Sequence, residues 1–265
     1  MPPREQNSNK GTFGKVLNIC GSRNYIGAAF LPTLSSLKVG AGFSALCSTK
    51  EVISSVSKLL PEAVYLERKG IENRLGEFSV IVIGCGLSTD KDTISLFKKV
   101  LKNVKNLDIP VLIDADGLNI LAKLKKIDLP KSLIITPHPI EAARLLGVNS
   151  SEVLQNLEVS AKELTKKYNC VTVLKNHKTI ICDKNLELHI NQNGNSALAK
   201  AGSGDVLAGV IAGLLAQKMS LFEASKLGVH LHARAGELAS QDLTEYSVLA
   251  TDTIKYLPNA IKELL

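Results

Sequence analysis

The chain reads Asn-Gly-Asn-Ser-Ala-Leu-Ala-Lys-Ala-Gly-Ser-Gly-Asp at residues 193–205 and continues directly into Val-Leu-Ala-Gly-Val-Ile-Ala-Gly-Leu-Leu-Ala at residues 206–216. This pattern predicts a glycine-rich loop that opens an apolar helix, because the large apolar residues recur at helical spacing. The first amides of a helix have no partner inside it, and the positive end of the helix dipole favours an anion there. The amides of Gly202, Ser203 and Gly204 therefore predict a phosphate site, with Asp205 beside it.

Asp205 has two interpretations at this position. Next to an anion site, its carboxylate could accept the proton of a hydroxyl that attacks phosphorus, while the neighbouring amides stabilise the transferred charge. An acidic residue in a first turn is also found as a helix cap. The loop is not a Walker A motif, because no Lys-Ser/Thr pair ends it, and it is not a Rossmann fingerprint, because it does not follow the first strand.

Length and composition indicate one ordinary globular domain. The chain has 265 residues, of which 45% are hydrophobic and 22% charged, and we expect residues 1–265 to form a single α/β domain without a fused second enzyme. The polar N-terminus does not resemble a signal peptide, and the longest uncharged apolar run, 206–216, is shorter than the roughly 20 residues of a membrane helix. These features predict a cytoplasmic protein that does not bind membranes.

The charge and cysteine content exclude two further classes. The net charge is +7, but the chain is only 4% aromatic, has no Trp, and carries its lysines in scattered groups. Nucleic-acid binding is therefore not expected. The five cysteines are an odd number without a Cys-x-x-Cys pair, and the histidines show no ligand spacing with them. This pattern predicts buried free thiols in a reducing compartment and no dedicated protein metal site.

Apolar strand-like runs alternate with amphipathic stretches along most of the chain, which predicts a mostly parallel sheet covered by helices on both faces. Predicted strands span residues 15–20, 43–48, 63–66, 80–83, 110–113, 132–135, 170–174, 179–182 and 186–190. Predicted helices span residues 27–38, 50–60, 92–105, 117–123, 139–147, 151–168, 204–217, 221–242 and 251–264. The last two strands are expected to form a hairpin, after which only helices follow.

Polar and glycine clusters follow successive predicted strands. They are Gly84-Cys-Gly-Leu-Ser88, Asp114-Ala-Asp-Gly-Leu-Asn119, Thr136-Pro-His-Pro-Ile-Glu141 and Lys175. In open α/β sheets, ligands bind outside the carboxyl ends of the strands. These clusters and the loop before residue 206 therefore predict one shared cleft.

Several residues of the predicted cleft have two interpretations. Lys175 could neutralise a nucleotide phosphate or be a surface lysine at a strand exit. His138 lies between two prolines, which suits either a ligand contact or a rigid turn that opens a helix. Asp114, Asp116 and Asn119 could hold magnesium indirectly or wall the cleft, and Asp116 could instead cap the following helix.

Taken together, these motifs resemble the ADP/ATP-dependent NAD(P)H-hydrate dehydratases, which are ribokinase-like proteins with a three-layer α/β/α fold. The resemblance rests on the clusters at residues 114–119 and 136–141, on residues 171–179, on Asn193-Gly-Asn195 and on Gly202-Ser-Gly-Asp205. It extends from residue 14 to the Ala-Thr-Asp at residues 250–252 and so covers nearly the whole chain. Two departures stand out, because the family usually has Gly where this chain has Asn176, and Gly-Pro-Gly-Leu-Gly where it has Gly84-Cys-Gly-Leu-Ser88.

The resemblance implies repair of hydrated NADH or NADPH (NADHX or NADPHX, S form). An adenine nucleotide phosphorylates the ring hydroxyl and phosphate is then eliminated. We expect ADP rather than ATP as donor because a short chain with one activity is typical of bacteria, and we expect Mg²⁺ because the transferred phosphoryl charge needs a metal. Asp205 matches the family's catalytic base and substrate contact, and Ala41, Gly86 and His138 match substrate-contacting positions. The positions that match nucleotide contacts are Lys175, Asn176, His177, Lys178, Thr179, Gly202, Ser203 and Gly204.

The resemblance also implies a homo-oligomer, specifically a tetramer. The alternative function is a ribokinase-like kinase of a small vitamin-precursor alcohol, which would share the chemistry at Asp205 and stop at the phosphate ester. A nucleotide-sensing protein without turnover is a third class. Substitution of Asp205 separates it from the enzymes, since binding alone should survive that change.

Overall fold

The computed structural model describes residues 1–124 and 127–265. Its strands are β1 (Lys15–Ile19), β2 (Phe43–Ser48), β3 (Val64–Glu67), β4 (Val80–Ile83), β5 (Val111–Ile113), β6 (Leu133–Ile135), β7 (Val171–Leu174), β8 (Ile180–Cys182) and β9 (Leu188–Ile190). Within the described residues these strands form one sheet in the order β3-β2-β1-β4-β5-β6-β7-β8-β9. β1 to β7 are mutually parallel, and the β7–β8 and β8–β9 pairs are antiparallel. The predicted strands and the terminal hairpin are confirmed.

The helices are α1 (Gly27–Lys38), α2 (Lys50–Val56), α3 (Lys91–Val104), α4 (Asp116–Lys123), α5 (Pro139–Leu146), α6 (Ser150–Gln155), α7 (Leu157–Tyr168), α8 (Ser203–Ala216), α9 (Leu221–Leu243) and α10 (Ala250–Lys262). Short 3-10 turns lie at Ile71–Asn73, Leu75–Glu77 and Ser196–Leu198. The single helix predicted for residues 151–168 was wrong. It is interrupted at Asn156, whose backbone leaves the helical region (φ −136°, ψ 53°) and whose side-chain amide donates to the Glu152 carbonyl.

Two apolar cores lie on opposite faces of the sheet. Side chains from α1, α2, α8, α9 and α10 pack on one face, and side chains from α3 to α7 pack on the other. Successive residues of a strand point to opposite faces, as Val16 and Leu17 illustrate by entering different cores. The predicted three-layer α/β/α fold with a mostly parallel sheet is thereby confirmed.

Two glycines allow α8 to lie close against α1. A Cβ at Gly209 would lie 2.1 Å from Ser35 Oγ and 2.3 Å from the Pro32 carbonyl oxygen, and one at Gly213 would lie 2.3 Å from Val39 Cγ1. Both positions therefore require glycine. Gly202, just before α8, adjoins Leu31 in the same way. Contacts further along α8 therefore fall further along α1, so the two helices run parallel. Because α1 follows the carboxyl end of β1, the α8 N-terminus lies at the carboxyl edge of the sheet.

No helix in the ranges 1–124 and 127–265 combines the length and the apolar character that membrane crossing requires. All five cysteines are buried and free of disulfides, as the sequence predicts.

Candidate active site

The carboxyl ends of β4, β5, β6 and β7 bring the predicted clusters to one edge. Gly84 follows β4, Asp114 follows β5 and Lys175 follows β7. The Lys175 amide donates to the Pro137 carbonyl at 2.8 Å, which joins the loops after β6 and β7. The predicted clusters thus meet at one edge of the sheet, and the shared cleft stays a prediction.

An ion pair lies at the centre of this edge. The Lys175 ammonium is 2.7 Å from Asp114 Oδ1 and 4.0 Å from Glu141 Oε2. Asp114 is only 1% exposed. Burial disfavours the charge on Lys175, but the Asp114 and Glu141 carboxylates outweigh burial and raise the pKa of Lys175. Lys175 is therefore a charged and oriented cation, so the surface-lysine interpretation was wrong.

The α8 N-terminus faces this ion pair. Its N-cap is Gly202, with a positive φ of 90° and no side-chain capping bond. A Cβ at Gly204 would lie 3.3 Å from Lys175 Nζ, so the ammonium adjoins the first turn of the helix. The Ser203 amide donates to the Lys200 carbonyl at 3.2 Å, whereas the Gly204 and Asp205 amides have no backbone acceptor in the described chain. Of the three predicted anion donors, Ser203 is therefore already engaged, and the Asp205 amide is an additional free donor.

Asp205 projects from that first turn towards Asp114. Burial, followed by repulsion from the Asp114 carboxylate, raises the pKa of Asp205 from 3.8 to about 7, although a hydrogen bond with Cys85 and the charge of Lys175 oppose the shift. Because the N-cap is Gly202 and no side chain caps this helix, the interpretation of Asp205 as a cap was wrong. A carboxyl group with a pKa near 7 can both accept and release a proton at neutral pH.

His232 supports the same turn from α9. Its Nε2 is 3.1 Å from Ser203 Oγ. Burial lowers the pKa of His232 to about 4, so the imidazole is neutral and holds Ser203 by a hydrogen bond. Sequence reasoning missed this contact, and the one signal for it is a histidine among small, apolar residues in the middle of a helix.

His138 is the N-cap of α5. Its Nδ1 accepts from the amides of Ile140 (3.1 Å) and Glu141 (3.3 Å), and the Glu141 carboxylate accepts from the His138 amide at 2.9 Å. Burial, then Lys175, lowers the pKa of His138. The turn interpretation is confirmed. The ring still has a half-exposed face, so a ligand contact there stays a prediction.

Gly86 lies in the turn after β4 with a positive φ of 55°, and a Cβ there would come within 2.6 Å of both Ala28 Cβ and Tyr25 Cβ. Sequence reasoning missed these two neighbours.

Ser88, where the family usually has Gly, also keeps a positive φ of 72°. Its amide donates to Asp116 Oδ2 at 2.8 Å, and this bond holds the turn in the conformation that glycine would adopt freely.

The acidic cluster after β5 is largely occupied by protein contacts. Asp116 is the first residue of α4 and is not its N-cap, which is Ala115, so the capping interpretation of Asp116 was wrong. Asn119 accepts from Arg144 at 2.9 Å and donates to Asp116 Oδ1 at 3.4 Å. Both residues are therefore held by protein partners.

Lys175 begins the turn between β7 and β8 that also contains Asn176, His177, Lys178 and Thr179. His177 and Lys178 are exposed, and Thr179 Oγ1 donates to the Asn176 carbonyl at 3.3 Å. Asn176 has no positive φ, so the backbone does not require the glycine that the family usually has there. The turn is open to a ligand at the rim, as a nucleotide contact would require.

Ala41 is not brought to this edge. It precedes β2 and is 8% exposed. The carbonyl of the nearby Val39 accepts a hydrogen bond at 3.1 Å from the side chain of Gln217, the residue that follows the last residue of α8. The 14 residues of α8 span about 21 Å at 1.5 Å per residue. Ala41 therefore lies at the amino edge, whereas Ala28 lies beside Gly86.

One group of metal-ligand side chains occurs in the described residues. Cys85, Asp114 and Asp205 place ligand atoms within 4.8 Å of one another. A thiol suits soft metals, whereas Mg²⁺ prefers oxygen and usually binds through one or two carboxylates together with phosphates and water. Asp114 therefore fits as a carboxylate contact for an Mg²⁺ ion that arrives on a nucleotide, and the trio as a whole does not form a magnesium cage.

The edge is long enough for two ligands. β4 and β7 are separated by β5 and β6, which corresponds to about 14 Å at a strand spacing near 4.8 Å. Gly86 and Lys175 lie at the two ends of this span, with the α8 N-terminus between them. The fold and this edge define a ribokinase-like α/β protein with a carboxylate and a cation beside an open helix N-terminus.

Comparison with known proteins identifies the family. The NAD(P)H-hydrate dehydratase family model matches residues 16–259, and the chain belongs to this family. It is 35% identical over 247 residues to an ADP-dependent (S)-NAD(P)H-hydrate dehydratase of Neisseria meningitidis, covering 90% of this chain and 81% of that protein. A crystal structure of the Bacillus subtilis ADP/ATP-dependent NAD(P)H-hydrate dehydratase, co-crystallised with ATP and Mg²⁺, matches with a TM-score of 0.89 and 31% identity, covering 100% of this chain and 95% of that one.

Longer relatives also match. A bifunctional NAD(P)H-hydrate repair enzyme of Moorella thermoacetica is 35% identical over 280 residues, covering 100% of this chain and 52% of that protein. The chain thus spans about half the length of the first curated relatives that it matches.

Proposed function

We propose that the protein restores NADH and NADPH from their S-form hydrates with an adenine nucleotide as phosphoryl donor. The observation that carries this proposal is the Asp205 carboxyl, whose pKa is raised to about 7 and which lies beside the free amides at the start of α8. Family membership supports the same conclusion, because relatives in the family are named ADP-dependent (S)-NAD(P)H-hydrate dehydratases.

In the first step the ring hydroxyl of the hydrate attacks the terminal phosphorus of the nucleotide. Asp205 accepts the hydroxyl proton, the new P–O bond forms, and the bond to the leaving nucleotide breaks. AMP leaves if ADP is the donor. The amides of Gly204 and Asp205 and the ammonium of Lys175 stabilise the charge on the transferred group. Mg²⁺ carried by the nucleotide would meet Asp114 and would neutralise phosphate charge.

In the second step phosphate leaves. Hydroxide is a poor leaving group and phosphate is a good one, so the ring nitrogen lone pair can expel phosphate as the C–O bond breaks. Loss of a proton from the adjacent ring carbon completes the dihydronicotinamide. The hydrate lies at the β4 end, near Gly86, and the nucleotide lies at the β7 end, near Lys175 and the turn that follows it. His138 follows β6 and lies between these two ends.

The experiment is to incubate the protein with NADH hydrate and Mg²⁺ and to add ADP or ATP separately. We expect recovery of the reduced-nicotinamide absorbance, with one phosphate released for each NADH formed. Recovery without nucleotide would refute phosphorylation. Accumulation of a phosphorylated product without released phosphate would indicate a small-molecule kinase instead.

The tetramer that the resemblance implies stays a prediction, as does the cytoplasmic location. Light scattering after size-exclusion chromatography measures the oligomeric state directly.

A further inference from the structure

Tyr25 is an exposed aromatic residue at the carboxyl edge that the proposed chemistry does not yet use. The chain is only 4% aromatic, yet this side chain is 56% exposed and the adjacent Ile26 is 37% exposed. Exposed apolar surface at the mouth of a cleft is typical of a ligand contact.

The backbone fixes Tyr25 against the turn after β4. Its amide donates to the Ser22 carbonyl at 2.9 Å, which forms a turn between β1 and α1. A Cβ at Gly86 would lie 2.6 Å from Tyr25 Cβ and 3.3 Å from the Tyr25 carbonyl oxygen. Because Gly86 has no side chain, Tyr25 can lie directly against the turn after β4.

A short path leads from Tyr25 to the carboxylates. Cys85 is next to Gly86, its carbonyl accepts from the Gly21 amide at 2.8 Å, and its thiol lies within 4.8 Å of both Asp114 and Asp205. Consecutive Cα atoms are about 3.8 Å apart across a trans peptide bond. A six-membered ring that lies over Gly86 would thus adjoin Tyr25 and would lie one residue from Cys85, whose thiol is close to Asp205.

The nucleotide would lie too far away to contact Tyr25 in this way. Between β4, whose following turn Tyr25 contacts, and β7, which precedes Lys175, there are three strand steps, or about 14 Å. Of the two proposed ligands, only the hydrate belongs at this end of the cleft.

We propose that Tyr25 contacts the hydrated pyridine ring and holds its hydroxyl towards Asp205. This inference rests on the proposed function and adds a substrate-positioning contact to it. An aromatic side chain contacts a flat ring to a similar extent in the ground state and in the transition state. Its loss therefore raises KM more than it lowers kcat.

The test compares Tyr25→Ala, Tyr25→Phe and the wild type in steady-state assays with NADH hydrate and with the nucleotide. Leu59→Ala is the matched control, because Leu59 is 67% exposed and precedes β3, at the amino edge of the sheet and away from the proposed site. We expect Tyr25→Ala to raise the KM for the hydrate about tenfold, within the range for loss of an aromatic contact to a flat ring. Tyr25→Phe should stay near the wild type, and the nucleotide KM should be unchanged in all variants.

An unchanged hydrate KM in a Tyr25→Ala protein that unfolds at the same temperature as the wild type would overturn this inference. Hydrate turnover by the wild type would still support the proposed function in that case. A rise in the nucleotide KM alone would place the nucleotide at this end and would also overturn it. Absence of hydrate turnover in the wild type would overturn both proposals.

Discussion

Replacing Asp205 with Asn removes the proposed proton acceptor and leaves the shape of the side chain nearly unchanged. Loss of a general base typically lowers the rate about 10²- to 10⁴-fold, which corresponds to about 3–5 kcal/mol in the barrier at 1.36 kcal/mol per tenfold. Asp205 does not cap α8, so the helix and its free amides should persist. Nucleotide binding should therefore remain close to that of the wild type.

The same substitution has a predictable effect on stability. Burial and Asp114 raise the pKa of Asp205 to about 7 in the folded protein, from an ordinary 3.8. The folded state thus binds the proton more tightly than the unfolded chain, and the resulting stability is complete below about pH 4 and is lost as the pH rises through 7. At pH 8 the ionised carboxylate costs up to roughly 4 kcal/mol, less what its partial exposure to water relieves. Asp205→Asn should therefore unfold at a higher temperature than the wild type at pH 8, with the difference vanishing near pH 4.

Two measurements check the substitution together. Hydrate turnover is followed through the reduced-nicotinamide absorbance, and thermal unfolding is followed by circular dichroism at pH 4, 6 and 8. Near-normal turnover in a folded Asp205→Asn protein would assign the base to another residue. A lower unfolding temperature at pH 8 would contradict the account of a destabilised carboxylate.

The other predictions concern the same cleft. A pH profile of kcat/KM should fall on the acid side of about pH 7, because protonation of Asp205 removes the base; a flat profile down to pH 5 would contradict this. Lys175→Ala should raise the nucleotide KM and destabilise the fold by about 3–5 kcal/mol, because the buried Asp114 loses its partner, and adding Asp114→Asn should recover part of the unfolding temperature. His138→Ala should cost about 1 kcal/mol of stability through loss of the α5 cap, whereas His138→Asn should keep the cap, and a higher hydrate KM in both variants would indicate a ligand contact. Gly204→Ala should raise the nucleotide KM, because its Cβ would lie 3.3 Å from Lys175 Nζ, while equal KM values in the variant and the wild type would place the phosphate elsewhere.

Much of the fold could be predicted because its signals are local. The apolar run at residues 80–83 and the glycine-opened helix at 203–216 are both visible as composition and periodicity. The break at Asn156 was missed because an asparagine inside an amphipathic pattern costs little by itself. Its side-chain bond to the backbone, which stops the helix, depends on the conformation.

The site was partly predictable because the carboxyl ends of parallel strands meet at one edge. This rule brings Asp114, His138 and Lys175 together from positions far apart in the sequence. It does not apply to Ala41, which precedes its strand and lies at the opposite edge. The Ser203–His232 contact joins two helices, and no spacing in the sequence reveals such a pair.

The central claim is that the ring hydroxyl leaves as part of phosphate. The most direct measurement uses NADH hydrate whose hydroxyl carries a heavy oxygen isotope, turned over with ADP, with mass spectrometry of the released phosphate. Phosphorylation followed by elimination breaks the C–O bond, so the account predicts one labelled oxygen in each phosphate. Label recovered in water, with unlabelled phosphate, would contradict it.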